Sequence, residues 1–458
     1  MKVIVCGAGQ VGTSIVHPLA AENNDVTVVD QSPELIRKLS DSLDVKAMEG
    51  FASHPDVLEA AGAADADMII AVTRADEVNM VACQVAHSLF KVPTKIARVR
   101  QPSYLNPIWA DLFSRDHMPI DVIISPEMEV GRAISRRLQV PGAFDMIPLA
   151  NGLVKVIGLR CTDDCPVLHT PLRQLTELFP DLSITVVGIV HDDQGYVPTP
   201  DDQIRPGDEV FFVADSDHVG RTMMAFGHEE PEARRVIILG GGYIGRFLAR
   251  DIEENHPGVS AKIIEVDKRR AELAAAELSN TVVLHGDALD PDILEEGNVS
   301  MAEAVIAVTN DDEVNILASL LSKRYGCPRA LTLINSTTYS PLVTTLGIDV
   351  VVNPRAITAS TILQHIRRGR IRAVHTLREG FGEIIEAEAL ETSSLVGKPL
   401  REINFPPGVI LGAVVREDEV IIPRGSTTVR INDLVILFAT SEAIKKVEKM
   451  LAASLEFF

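Results

Sequence analysis

Val3-Ile-Val-Cys-Gly-Ala-Gly-Gln-Val-Gly12 and Val236-Ile-Ile-Leu-Gly-Gly-Gly-Tyr-Ile-Gly245 are two versions of one phrase. Each is a short β-branched run, a Gly-x-Gly-x-x-Gly turn and the opening of a helix-length segment. The phrase is not alone. Ala71-Val-Thr-Arg-Ala-Asp-Glu-Val-Asn79 answers Ala307-Val-Thr-Asn-Asp-Asp-Glu-Val-Asn315, and Pro55-Asp-Val-Leu58 answers Pro291-Asp-Ile-Leu294. The matches keep their order at a separation of roughly 230 residues, so a single duplication accounts for the whole chain.

Working outward, each copy begins with β-branched runs alternating with helix-length segments. In the first copy the runs are Val3–Val5, Val26–Val29, Met68–Val72, Ile96–Val99 and Val122–Ile124. That alternation predicts βαβ units on a parallel sheet. A helix comes next from Pro126, a residue suited to a first helical turn. Then come strand-like pieces between turn residues: Leu153–Leu159, Ile184–Val190, Val197-Pro198 and Val210–Val213. The second copy repeats this with a helix from Pro354 to about Arg367, then Val409–Val415, Val420–Pro423 and Leu434–Phe438. The fold class expected is α/β: two Rossmann-like parallel-sheet domains, each followed by a small α+β domain. The boundaries expected are 1–125, a connecting helix 126–140, and 141–228, then 229–353, a second connecting helix 354–370, and 371–458. Glu229–Arg235, charged and proline-bearing, is the linker between copies.

The chain has 458 residues, 46% of them hydrophobic, and a formal charge of −21. The charge argues against gripping a nucleic-acid backbone and against adsorption to an anionic leaflet. No apolar run is long enough for a spanning helix, and the first residues lead straight into the glycine turn without a cleavage-site pattern. Five scattered cysteines read as reduced thiols of a cytosolic protein.

The chemistry expected at the turns is specific. Gly7 permits the tight turn, Gly9 lets the backbone approach a pyrophosphate, and Gly12 lets the helix pack against the strand. Asp30, ending the next strand, accepts ribose hydroxyl protons and repels a 2′-phosphate, which favours NAD(H). The second copy offers Gly240, Gly242 and Gly245, with Asp267 read as the strand-ending acid. Asp287 after Gly286 stands where Gly50-Phe51 offers an aromatic face. Thr73-Arg74 follows the fourth strand at the open end of the sheet, and Thr309-Asn310 stands there in the second copy. Arg98 and Arg100 stand two residues apart at the next strand, and one of the two is expected to reach phosphate, the other to be a surface or partner contact; Ala330–Ile334 has no arginine. The two sites are therefore unequal.

Catalytic groups are missing. His169, His191, His218 and His375 lie singly, and no nucleophile elbow, zincin or Walker motif is present. His54 reads as a capping or surface residue, and Asp76-Glu77 and Asp312-Glu313 as acids opening helices. No metal site is expected. A regulator is the leading reading; an NAD-dependent oxidoreductase and a sensing scaffold without a transport partner are the alternatives.

The strings CGAGQVG, NNDVTVVD, SHPDVLEAAGAADADMIIAVT and IARVR, with the tandem order of large and small domains, resemble the TrkA family of Trk potassium-uptake regulators. More broadly the units resemble the RCK (KTN) domains that regulate potassium channels and transporters. The resemblance implies a cytoplasmic protein, peripheral on the inner face of the membrane. It implies assembly as a ring, typically tetrameric, beneath a TrkH/TrkG-like potassium-translocating subunit, with gating by NAD(H) and adenine nucleotides (ATP or ADP at one or both sites). By the same resemblance Gly7, Ala8, Gly9, Gln10 and Val11 lie at the pyrophosphate, Asp30 at the ribose, and Thr73, Arg74 and Arg98 beside the ligand. Gly240 to Ile244, including Tyr243, and Asp267 carry over to the second copy. Some relatives have a basic residue after the second glycine; Gln10 and Tyr243 stand there in this chain, which leans toward the dinucleotide.

Overall fold

Val3–Cys6, Met68–Ala71, Ala304–Ala307 and Ala330–Leu333 are buried throughout. Such uninterrupted buried runs, apolar except for Thr332, belong to central strands of parallel sheets covered on both faces, and the computed structural model places them there. It describes residues 1–21, 24–179, 182–336, 338–366, 371–378 and 381–451. The expected ends of the second connecting helix (367–370) and of the last small domain (452–458) lie outside the described residues.

The first α/β domain runs β1 (Lys2–Cys6), α1 (Gln10–Ala21), β2 (Asp25–Asp30), α2 (Pro33–Ser42), β3 (Lys46–Glu49), α3 (Pro55–Ala60), β4 (Met68–Ala71), α4 (Asp76–Phe90), β5 (Thr94–Arg98) and β6 (Val122–Ile124). Its parallel sheet has the order β3-β2-β1-β4-β5-β6. The chain reverses direction across the sheet between β1 and β4, the switch point where open α/β sheets bind ligands. Helix α5 (Pro126–Leu138) leads to a small domain of β7 (Ala143–Leu149), β8 (Val154–Arg160), α6 (Leu172–Leu178), β9 (Ile184–His191), β10 (Gln194–Tyr196), β11 (Glu209–Asp215) and α7 (Val219–Ala225). Its five strands pair antiparallel in the order β10-β9-β11-β8-β7.

The second copy repeats the design. Its α/β domain runs β12 (Arg235–Leu239), α8 (Tyr243–Asn255), β13 (Ser260–Glu265), α9 (Lys268–Glu277), β14 (Val282–His285), α10 (Pro291–Glu296), β15 (Ala304–Ala307), α11 (Asp312–Arg324), β16 (Ala330–Leu333), α12 (Ser340–Thr345) and β17 (Val350–Val352). The sheet order is again β14-β13-β12-β15-β16-β17. Helix α13 (Pro354–Ile366) precedes β18 (Ile371–Leu377), β19 (Gly382–Glu388), β20 (Val409–Arg416), β21 (Glu419–Ile421), β22 (Leu434–Thr440) and α14 (Ile444–Leu451). Those strands form an antiparallel sheet in the order β18-β19-β22-β20-β21.

Three strands of the small domains escape the sequence pattern. β7 is an edge strand broken by Asp145 and Pro148, and proline is tolerated at such edges. β18 is only half-buried, and β19 buries Glu383 and Glu386 among its apolar residues. Glu386 Oε2 accepts the Ala150 N–H at 2.9 Å, which satisfies a donor at a residue with φ of 50°. Conversely, Val197-Pro198 is not a strand; the pairing segment is Gln194–Tyr196 just before it.

Two compact units result. The first is Met1–Val130 with Asn353–Ile366. There Ala359, Ile362 and Leu363 of α13 bury against Ile15, Val16 and Leu19 of α1. The second unit holds Gly131–Val352 and the second small domain. Within it Val187, Phe211 and Val213 of one small domain share a core with Phe381, Ile384 and Phe438 of the other.

Candidate nucleotide-binding sites

At Gly7 the chain leaves β1 with φ of 114°, a conformation that side chains rarely adopt. A Cβ at Gly12 would overlap the Gly7 carbonyl oxygen, so α1 can approach the turn only with glycine there. A Cβ at Gly9 meets nothing within 4 Å, which leaves the room a pyrophosphate needs. Gln10 and Val11 open α1, whose first N–H groups have no partner in the helix and carry the positive end of its dipole. The second turn repeats every feature. Gly240 has φ of 111°, a Cβ at Gly245 would overlap the Gly240 carbonyl, Gly242 faces open space, and Tyr243 and Ile244 open α8.

Asp30 ends β2 and is held on both oxygens. Ala8 N–H donates to Oδ2 at 2.7 Å and Ser32 N–H to Oδ1 at 2.8 Å. Each carboxylate oxygen has a second lone pair, so the group is oriented and still able to accept from ribose hydroxyls.

In the second copy the structure corrects the sequence reading. β13 ends at Glu265, not Asp267, and Glu265 Oε2 accepts the Gly241 N–H at 2.6 Å. Glu265 therefore stands in the place of Asp30. Asp267 is the counterpart of Ser32, and its Oδ1 caps α9 by accepting the Arg270 N–H at 2.9 Å. The extra methylene of Glu265 is accommodated because Gly241 replaces Ala8: a Cβ at 241 would stand 3.1 Å from the Glu265 Cβ. Glu265 is buried. Its Oε1 accepts the Asp267 N–H at 2.8 Å and Arg270 Nη2–H at 2.8 Å.

A buried asparagine organises the open edge in each copy. Asn79 Oδ1 accepts from the Thr73 N–H at 2.8 Å and the Thr73 hydroxyl at 2.7 Å, while its Nδ2 donates to the carbonyls of Thr73 and Arg98. Asn315 makes the same four bonds, to Thr309 and to the Leu333 carbonyl. Leu333 thus replaces Arg98. Arg74 is exposed beyond Thr73. Arg98 is partly buried, and its Nε has no hydrogen-bond partner among the described residues. Burial, and then the neighbouring Arg100, lower its pKa from the ordinary arginine value. Arg100, by contrast, is engaged with Glu127 at 2.7 Å.

The remaining expectations resolve locally. Asp76 accepts the N–H groups of Arg100 and Gln101, and Asp312 those of Asn335 and Ser336, so these acids pin the loop after the fifth strand. Asp287 is exposed and accepts the Leu289 N–H at 2.9 Å. His54 opens α3 without a side-chain cap and stacks on Phe51 at 5.1 Å. Among the described residues no three His, Cys, Asp or Glu side chains group as metal ligands. Sequence reasoning missed Glu265, both asparagines and Arg246, which donates to the Gly241 carbonyl at 3.2 Å and lies 5.2 Å from the Tyr243 ring centroid. Thr13, one residue past Gly12 as Arg246 is past Gly245, donates likewise to the Ala8 carbonyl. Repeat alignment on strand ends, rather than on residue type, exposes the Asp30–Glu265 match.

Comparison with known proteins identifies the domains. The model of the TrkA-N domain matches residues 3–126 and 236–354, and that of the TrkA-C domain residues 156–227 and 384–452. The chain is 53% identical to the Trk system potassium uptake protein TrkA of Azorhizobium caulinodans, covering 100% of both chains. Among solved structures the fold is similar to the GsuK channel bound to NAD, with a TM-score of 0.61, 20% identity, and coverage of 99% of this chain and 79% of that one. It is also similar to GsuK bound to ADP, with a TM-score of 0.50, 16% identity, and coverage of 80% and 69%. The chain belongs to the TrkA family of Trk system potassium uptake proteins, regulatory RCK proteins rather than enzymes.

Proposed function

We propose that this chain is the nucleotide-sensing subunit of a Trk-type potassium uptake system, and that its first glycine turn takes NAD(H). The observation that carries the reading is Asp30, fixed by the Ala8 and Ser32 amides beside a turn whose second glycine faces open space. Gly7, Gly9, Gln10, Val11 and Gly12 hold the pyrophosphate, Asp30 the ribose, and Thr73, Arg74 and Arg98 the far phosphate side. The Arg98 guanidinium, with an unpartnered Nε, is suited to an anion. The GsuK structures bound to NAD and to ADP support nucleotide ligands on this fold. The partner is a membrane potassium-translocating subunit, and the chain assembles as a ring of tandem chains on its cytoplasmic face. No helix among the described residues is long and apolar enough to cross a membrane, which is compatible with a peripheral position. The six segments bounded at 125, 140, 228, 353 and 370 are its working parts.

A ligand moves a conformational equilibrium only by its differential affinity for the two states. Asp30→Ala removes the ribose acceptor and leaves the turn glycines in place. In that variant NADH binding by calorimetry falls by about tenfold or more, and potassium flux through the reconstituted system no longer responds to NADH. A full NADH response in Asp30→Ala overturns the assignment.

A further inference from the structure

The two turns differ most in the residues just after the ribose-end acid. In the first copy Asp30 precedes Gln31-Ser32-Pro33-Glu34, and the first turn of α2 is acidic, as a helix N-terminus prefers. In the second copy Glu265 precedes Val266-Asp267-Lys268-Arg269-Arg270, and α9 opens on three consecutive cations with no acid in its first turn. Three positive charges at a helix N-terminus oppose the dipole, in a chain whose net charge is −21. All three are exposed, and Lys268 and Arg269 make no ion pair among the described residues. The acid itself is already engaged. Glu265 is 3% exposed and is neutralised by Arg270, whereas Asp30 pairs with no cation among the described residues. Arg270 uses Nε and Nη2 on Glu265 and keeps outward N–H donors on a side chain 45% exposed.

We infer that the second turn is a site for a 2′-phosphorylated dinucleotide, the NADP(H) class. This rests on the reading of both turns as nucleotide sites. At the first turn a 2′-phosphate meets an unpaired carboxylate; at the second it meets a guanidinium and two free cations. A cationic cluster after this strand is the arrangement that accepts a ribose phosphate.

Calorimetry on the full-length chain tests this with NADP+, NAD+ and ADP as probes, in an Asp30→Ala background that removes the ribose acceptor of the first turn. NADP+ binds about tenfold more tightly than NAD+ there. Lys268→Gln with Arg269→Gln, which leaves the Glu265–Arg270 pair intact, removes that preference without changing ADP affinity. Arg270→Ala abolishes the preference as well. If NAD+ binds the second turn as tightly as NADP+, or the charge variants leave the preference unchanged, the inference is overturned while the nucleotide reading stands. If the wild-type chain binds none of the three probes, both are overturned.

Discussion

Asn79 and Asn315 are fully buried, and each commits its whole amide to neighbouring backbone and one threonine hydroxyl. Two acceptor sites and two donors are thereby satisfied, and the loop carrying Thr73 is locked to the strand that carries Arg98. Asn79→Ala takes the side-chain partner from the Thr73 amide and from the carbonyls of Thr73 and Arg98, at a cost on the order of 2–3 kcal/mol. Hydrogen exchange then accelerates in the peptides spanning Met68–Thr73 and Thr94–Arg98, and not in those of β15 and β16; unchanged exchange in the first set refutes the bracket. The sequence displayed both asparagines within the repeat, yet their task depends on two strands being adjacent in space. Glu265 was hidden differently. Asp267 resembled Asp30 by residue type, whereas strand register pairs Asp30 with Glu49 and Glu265 with His285.

At the scale of elements, α5 shows what the sequence conveyed and what it withheld. Pro126 at its start, Glu127 and Glu129 in its first turn, and Arg136 and Arg137 in its last match the helix dipole, so its existence was legible. Its docking was not, because the partner is distant in sequence. From Gly131 onward α5 packs on α8, the helix that starts at the second glycine turn. A Cβ at Gly131 would run into the Phe247 ring, and the Ser135 hydroxyl donates to Asp251 at 2.5 Å while lying 3.0 Å from His256 Nε2. Gly131→Ala therefore overpacks the joint and lowers stability by about 1–3 kcal/mol. Adding Phe247→Leu relieves the clash, so the double variant unfolds at a higher temperature than Gly131→Ala alone. Equal melting of Gly131→Ala and the parent chain refutes the contact. The same joint ties α8 to the segment entering the first small domain.

For the whole molecule, the duplication has a consequence that no single copy displays: the two small domains of one chain complete each other's core. Phe381 of the second copy lies 6.1 Å from the Phe211 ring and 4.9 Å from Phe438, in space left by Gly188 and Gly195 of the first. His375 on β18 belongs to this association, in the electrostatic reach of Arg136 on α5 and Asp145 on β7. Burial, and secondarily Arg136, push its pKa from 6.5 down to about 4, with Asp145 opposing. A depressed histidine pKa means that the folded state holds the neutral ring. Its contribution is fully present above pH 6.5, where both states are neutral. It is lost as pH falls from 6.5 to about 4, because the unfolded chain takes up the proton first. Over that window the slope of stability against pH carries up to ~1.4 kcal/mol per unit from this one group. His375→Gln, which cannot titrate, flattens the acid limb of the melting-temperature profile between pH 6.5 and 4 and leaves the profile above pH 7 parallel to that of the parent chain. Parallel profiles across the acid window as well would show that His375 titrates alike in the folded and unfolded chain, which refutes the burial effect.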